Sequence, residues 1–458
     1  MESFSGNLLV VLGVFAAVLF FFILLYKGDI VFGFLVWFLA ASFIPRQIFV
    51  ISFPGWPDIY LERLIFVLLF IIFLFEVLRG KEKLLPNTRI EYFMMVLLVI
   101  LLISMGQTGF LAIRGDEYQP FHIFLTGFLF PFTFYYFGKT VLSTEPRIKI
   151  LLWGLFLFFS YLVLTAYLEH FKITRFIFPR YISDPLLGIH YGRARGPFGV
   201  APVNGWILAS LFCTTLYLRS QTKGLISRGI MLIILLLTPV AIFYTYTRAV
   251  WLSFLLAPIL LMLFSKKLLF RPRYFVFPII CLILLIFFNW ENIASKERAL
   301  GGVMQLKEIE ARTGLYNATK AIFRDTPFFG VGFGRFGRVL PFYAPEAFPG
   351  TAPQLASQHN LFFGLLSEVG LIGLTPFVLI LYFIIRDSIL LFKKLGEEKG
   401  FFSRDPVVVF WAIISIYLVN AFFIQTQFFI QANGLVFLWA GLVVGFYQRQ
   451  VRLTPDSK

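Results

Sequence analysis

Apolar residues run along this chain in long blocks, separated at near-regular intervals by short clusters of charge, glycine and proline. Blocks of spanning or near-spanning length lie at 8–26, 30–44, 62–78, 92–105, 121–138, 150–167, 201–218, 230–244, 249–264, 274–288, 361–385, 407–430 and 434–447. A hydrocarbon core about 30 Å thick takes roughly 20 residues of helix to cross. The pattern therefore predicts an all-α, polytopic membrane protein with 12–13 transmembrane helices, the count turning on the short blocks at 30–44 and 434–447. Residues 1–458 read as a single membrane domain. No leader with a small-residue cleavage site precedes the first block, which is expected to stay in the mature protein. No repeat of fixed period is visible, so the halves do not read as a duplicated transporter.

Two long polar stretches break the rhythm, Leu168–Val200 and Trp290–Gln358. The second, 290–358, reads as an extended outer-face loop carrying short helices, inserted between transmembrane helices. From Gly302 to Phe323 the positions Leu306, Ile309, Thr313, Tyr316, Lys320 and Phe323 recur at spacings of three and four. That predicts a helix with Arg312, Tyr316, Thr319 and Phe323 on one face. Pro327 ends it, a glycine cluster follows at Gly330, Gly332 and Gly334, and Pro341, Pro345, Pro349 and Pro353 predict irregular chain over the membrane surface. The loop closes on His359–Asn360 and passes directly into LFFGLLSEVGLIGL.

Charge then gives the sidedness. Lysine and arginine gather at Lys27, in the 79–89, 139–149, 219–228, 265–273 and 386–404 loops, and in the tail. The alternate short connections hold essentially only Arg46, Arg63, Arg114 and Arg248. By the positive-inside rule the first set and the C-terminus face the cytoplasm, and both long stretches lie on the outer side.

Composition supports this reading: 59% of residues are hydrophobic and 14% charged, against about a quarter charged in soluble domains. The net charge of +16 suits anionic lipid head groups. It does not point to nucleic acid, because no basic, aromatic-interleaved domain lies outside the apolar blocks. Cys213 and Cys281 both fall inside apolar blocks and read as core residues, not as a disulfide or thiolate metal site.

Candidate chemistry concentrates on the outer side. His359 stands at the head of a span, where an imidazole accepts a proton near neutral pH; Asn360 is beside it. Glu368, two to three turns into that span, is a carboxylate that needs a partner in a membrane. Arg248 in TYTRAVWL, Arg312, and Arg193 in GRARGPFG bring guanidinium groups to the same face, the geometry suited to lipid-linked phosphate. GVGFGRFG matches GxGxxG at Gly332, Gly334 and Gly337, yet no strand precedes it and prolines follow, so it reads as a turn or anion-binding nest. HExxH, an acidic metal pair and GxSxG are absent from usable contexts, so no metal, cofactor or serine nucleophile is expected.

The stretches RTGLYNATKAIFRDTPFFGVGFGRF and SQHNLFFGLLSEVGLIGL resemble the signature of the bacterial O-antigen ligase and O-antigen polymerase family. The matching positions are Arg312, Tyr316, Asp325, Pro327, Gly330, Gly332, Gly334, His359, Asn360, Glu368, Gly370 and Gly373. TYTRAVWL is similar to the family's span start carrying an arginine, here Arg248. GRARGPFGVAPVN resembles a further element with Arg193, Gly196, Phe198 and Asn204 in register. Tyr316 stands where tryptophan is common, and Val203 separates Pro202 from Asn204. The resemblance implies a glycosyltransferase at the outer face of the bacterial cytoplasmic (inner) membrane. It would move a glycan from a polyprenyl-diphosphate donor to a hydroxyl of a glycan, lipid A–core or protein acceptor. On that reading His359 is the general base, Arg248 and Arg312 clamp the diphosphate with Arg193 as a third cation, and Asn360, Glu368, Tyr316, Gly332 and Asn204 support them. The alternative is a polysaccharide flippase, which predicts ionisable residues deep in the spans and broken helices in paired halves.

Overall fold

Every apolar block after the first folds as a helix. The structure, a computed structural model, describes residues 28–44, 49–51, 57–111, 119–265, 273–291, 306–345, 358–396, 401 and 403–453, the side chains of 273–275, 306–311 and 451–453 excepted. The block at 8–26, Arg46, Arg114, the predicted helical start at 302–305, Pro349 and Pro353 lie outside the described residues. The apolar helices are α1 (Ile30–Phe43), α2 (Leu61–Leu78), α3 (Arg89–Thr108), α4 (Pro120–Val141), α5 (Glu145–His170), α6 (Ala201–Gln221), α7 (Leu225–Phe243), α8 (Arg248–Phe264) and α9 (Arg273–Phe288). In the outer segment follow α10 (Leu306–Asp325) and α11 (Phe336–Tyr343), and then α12 (Leu361–Lys394), α13 (Asp405–Phe423) and α14 (Ile430–Leu453). Among the described residues, eight helices are long and apolar enough to cross a membrane by length and composition. A two-residue antiparallel pair, β1 (Val50–Ile51) with β2 (Ile59–Tyr60), leads into α2.

The helix ends follow from the residues that cap them. Thr88 and Glu91 form a capping box at the start of α3, and Asp29 caps α1 by accepting from the Val31 amide at 3.1 Å. Inside the bundle α6 and α14 are almost wholly enclosed, while α3 and α7 turn most of their residues outward. Outward leucines, isoleucines and methionines such as Met95, Ile103, Leu157 and Ile233 are what contact with lipid tails requires. Where helices meet, close approach replaces the hydrophobic effect. At the α4–α14 crossing a Cβ on Gly441 would stand 1.9 Å from the Tyr135 carbonyl oxygen, so only glycine fits.

Among the described residues, three of the connections assigned to one face by charge, 79–89, 139–149 and the tail, gather at one end. Lys139 pairs with Glu91, Arg147 bridges Asp29 at 2.8 Å and Glu82 at 2.5 Å, and Arg449 donates to the Lys139 carbonyl at 2.6 Å. The opposite end holds the 171–200 segment, α10 and α11.

One expectation is corrected there. The buried face of α10 is Leu315, Ala318, Thr319 and Ile322, so of the four residues expected to share a face Thr319 is the one at the packed side. Phe336 and Leu340 of α11 cover it, leaving Arg312 and Tyr316 exposed. The residues after the glycines are not all irregular: Pro341 lies inside α11. Pro341 lacks the N–H that would donate to the Gly337 carbonyl, so this two-turn helix forgoes one of its few intrahelical bonds.

Candidate active site

At the end away from the ion-pair cluster the helix termini surround a cavity of ≈ 690 Å³. Its lining includes Arg193, Arg195, Arg248, Arg312, His190 and His359. The structure therefore brings the four predicted residues His359, Arg248, Arg312 and Arg193 into one space, from three separate parts of the chain.

Arg248 is the first residue of α8, after a tight turn that begins at Tyr244. The Tyr244 carbonyl accepts from the Ala194 amide at 2.9 Å, which ties the Arg248 turn to the Arg193 segment. Asn204, fully buried in α6, donates Nδ2 to the Ala194 carbonyl at 3.0 Å. It does not line the cavity; it fixes the backbone beside Arg193. Burial raises the pKa of the Tyr246 phenol in the same turn, keeping it a neutral donor and acceptor.

The two arginines of Arg193-Ala194-Arg195 have different work. Arg195 is 1% exposed. Its guanidinium donates to the carbonyls of Leu187 at 2.6 Å, Ile182 at 2.9 Å and Asp184 at 2.5 Å. Its own amide donates to Glu169 Oε1 at 3.2 Å, and the Gly196 amide to Oε2 at 2.9 Å. Burial lowers the Arg195 pKa and the Glu169 carboxylate opposes that shift. Arg195 thus folds the 182–196 segment around itself, and half-buried Arg193 lines the cavity beside it.

His359 is exposed between two buried, anchored neighbours. Gln358 is tied by three bonds: its backbone N–H donates to Gln425 Oε1 at 3.0 Å, and its Nε2 donates to Thr319 on α10 and to Ser367 Oγ on α12 at 3.2 Å. Asn360 caps α12, accepting from the Phe363 amide at 3.0 Å and donating to the Phe422 carbonyl at 3.1 Å. The imidazole is held by its flanks, and Gln358 links it to the helix that carries Arg312.

Backbone strain marks the same place. Among the described residues four non-glycine residues have positive φ, and three of them, His190 (64°), Tyr246 (45°) and His359 (50°), line this cavity. Such conformations cost on the order of 1–3 kcal/mol each and gather where function requires them.

Glu368, Gly332 and Tyr316 do not line the cavity. α12 is broken at Gly370 (φ 61°, ψ −160°), and the glycine turn fills the break. Val331 and Gly332 amides donate to the Ser367 and Glu368 carbonyls, both at 2.9 Å, while Leu371 and Ile372 amides donate to Pro327 at 3.0 Å and Phe328 at 3.2 Å. The Glu368 carboxylate, 3% exposed, takes the Gly334 and Phe336 amides. Tyr316 rests against Phe363 with ring centroids 5.6 Å apart. These residues position the loop that carries the cavity wall.

Sequence reasoning missed Arg195, Gln358, Gln425, His190 and Tyr246. Arg195 had a signal in the doubled arginine, but spacing alone does not say which of the two turns inward. The glutamines had none, because their roles depend on contacts 39 and 67 residues away.

Residues 230–378 match the family model described as O-antigen ligase. No curated protein matches the chain.

Proposed function

We propose that this chain, whose residues 230–378 match the O-antigen ligase family model, transfers a glycan from a polyprenyl-diphosphate carrier to an acceptor hydroxyl within the arginine-lined cavity. The observation that carries this is the convergence of Arg193, Arg248, Arg312 and His359 on one space. The acceptor oxygen attacks the anomeric carbon and gives its proton to His359. The bond from that carbon to the phosphate oxygen breaks, and the polyprenyl diphosphate leaves with the electron pair. In-line displacement of this kind inverts the anomeric centre.

The leaving group is a good one whose negative charge grows as the bond breaks. Guanidinium groups fixed at the diphosphate therefore lower the barrier directly, and no metal is needed for that stabilisation. A base within reach of the acceptor hydroxyl supplies a further factor of roughly 10²–10⁴. The cavity sits at the end opposite the Lys139 and Arg147 cluster, which supports a site on the outer face of the inner membrane. The acceptor is a hydroxyl of a glycan, a lipid A–core saccharide or a protein.

The test is transfer by the purified full-length protein from polyprenyl-diphosphate oligosaccharide, wild type beside His359→Ala. Transfer by wild type and its loss in the folded variant are expected. Undiminished transfer by the variant would falsify the base assignment. Movement of the lipid-linked glycan across a vesicle bilayer without any transfer would support the flippase reading instead.

A further inference from the structure

The segment that follows α5 carries apolar side chains on its outside. Phe176 and Phe178 are 71% and 72% exposed, while Ile177 between them is 2% exposed. Ile177 and Ile182 are both buried, and the Tyr181 hydroxyl donates to the carbonyls of Pro197 at 2.8 Å and Ser42 at 3.2 Å. These anchors hold the two phenylalanines outward. Large apolar side chains exposed side by side mark a contact surface.

Its height along α5 says what that surface meets. α5 has 26 residues, and at about 1.5 Å per residue a hydrocarbon core about 30 Å thick entered near Ile148 is left near Leu168. The Tyr161 hydroxyl donates to the Phe178 carbonyl at 2.6 Å and shares a side-chain hydrogen bond with Thr165. Phe178 is therefore level with residues 161–165, about 5–10 Å inside that end of the core. Leu157 and Leu164, both exposed, flank Tyr161 on one face of α5. The chain after α5 thus turns back over a lipid-facing stripe.

Lipid offers the backbone no hydrogen-bond partner, and this segment brings its own. The Phe178 carbonyl takes the Tyr161 hydroxyl, and the Pro179 carbonyl takes the Ile182 amide at 3.2 Å. The Thr174 carbonyl takes the Ile177 amide and Arg180 Nη1, both at 3.1 Å. The Arg180 bond draws its guanidinium back toward Arg175, near the end of α5, as a long basic side chain does when its stem lies in lipid. Lys172, Arg175 and Arg180 are exposed. Asp184, the single acid between residues 171 and 191, is occupied by the Leu186 amide at 2.9 Å. Apolar side chains at acyl depth with cations above them match a phospholipid whose head group is anionic. We propose that residues 171–180 form a hook in the bilayer leaflet at the cavity end and bind anionic phospholipid, with Phe176 and Phe178 among the acyl chains and Lys172, Arg175 and Arg180 on the phosphates. The next residues, Tyr181 and Ile182, line the cavity, so bilayer lipid braces one wall of the site. The hook needs only the membrane reading of the chain and stands whether or not transfer is the reaction.

The full-length protein in lipid nanodiscs tests depth and charge separately. For depth, Phe178→Cys in a Cys213→Ala/Cys281→Ala background carries a nitroxide, with Leu157→Cys and Lys223→Cys as the lipid and water references. Collision with oxygen should match the Leu157 label, and collision with a water-soluble nickel chelate should be well below that at Lys223. Nickel access equal to the Lys223 label overturns the hook by placing it in water. Shielding from both reagents overturns it by placing protein there, a second copy or another stretch of this chain. For charge, native mass spectrometry compares phosphatidylglycerol with phosphatidylcholine on wild type and on Lys172→Gln/Arg175→Gln/Arg180→Gln. Each basic residue at an anionic surface is worth about fivefold, so the triple variant should lose phosphatidylglycerol affinity by roughly tenfold or more, while phosphatidylcholine and undecaprenyl diphosphate binding hold. Equal phosphatidylglycerol binding by both proteins overturns the lipid assignment, and a loss confined to undecaprenyl diphosphate gives the cations to that lipid instead. If the triple variant does not fold, Arg175→Gln, which leaves the Arg180 tether intact, takes its place. A loss of about fivefold is then expected, and unchanged phosphatidylglycerol binding overturns the proposal.

Discussion

Gly332 donates its amide to the Glu368 carbonyl at 2.9 Å, and this bond joins two elements that the sequence presents as separate motifs. Three further backbone bonds run between residues 327–331 and 367–372. Together they satisfy the carbonyls and amides that the break in α12 would otherwise leave unpaired inside a membrane helix. The turn and the broken helix are one structural unit. Its effect on chemistry is indirect: it sets the height at which α12 begins, and with it the position of His359.

Gly370→Ala should therefore destabilise the protein without touching the cavity. At φ 61° an alanine is strained, and its Cβ would stand 2.3 Å from the Phe328 carbonyl. Strain alone costs on the order of 1–3 kcal/mol, and the contact adds to it. The midpoint of thermal unfolding in detergent should fall; an unchanged midpoint contradicts the clasp.

What the sequence made legible divides along physical lines. Helices are encoded locally, so the blocks after the first appear as helices within a few residues of the expected bounds. The convergence of Arg248, Arg312, Arg193 and His359 was legible because sidedness follows from charge, and cations on one face of a bundle have little room to stay apart. The buried face of α10 was not legible because α10 packs on α11, and a two-turn helix containing Pro341 has no clear signal in one chain. Glu368 and Gly332 looked like site residues since motif spacing records that a position is constrained, not whether by substrate or by a neighbouring backbone.

Gln358 should act as a positioning residue. Gln358→Ala removes the bonds to Thr319 and Ser367 and frees the His359 segment from α10. Transfer should fall by about one to two orders of magnitude, the range expected when a reacting group is misplaced by an ångström. Binding of undecaprenyl diphosphate should hold, because no arginine is altered. A parallel loss of binding and transfer would show that Gln358 shapes the whole cavity.

Arg193 and Arg195 should separate cleanly. Arg195→Ala leaves the buried Ile182 carbonyl, the half-buried Leu187 and Asp184 carbonyls and Glu169 without their cation, and a buried group left unsatisfied costs roughly 1–3 kcal/mol. Limited proteolysis should then cut within 182–196. Arg193→Ala should leave that segment protected while weakening undecaprenyl diphosphate binding. Equal protease resistance in both variants would remove the assignment of Arg195 as the residue that folds the segment.

His359 offers the sharpest separation of chemistry from stability. Its φ of 50° is a conformation glycine adopts freely and asparagine tolerates better than most residues. His359→Gly relieves that strain, so the unfolding midpoint should hold or rise, while transfer should drop roughly 10²–10⁴-fold through loss of the base. His359→Asn keeps a polar side chain on the same backbone and should lose as much activity, since an amide does not accept the proton. A residue strained into place for catalysis gives this pattern, stability kept and turnover lost. If His359→Gly instead lowered the midpoint and His359→Asn retained transfer, the imidazole would be anchoring the head of α12, and the proton would have to go elsewhere.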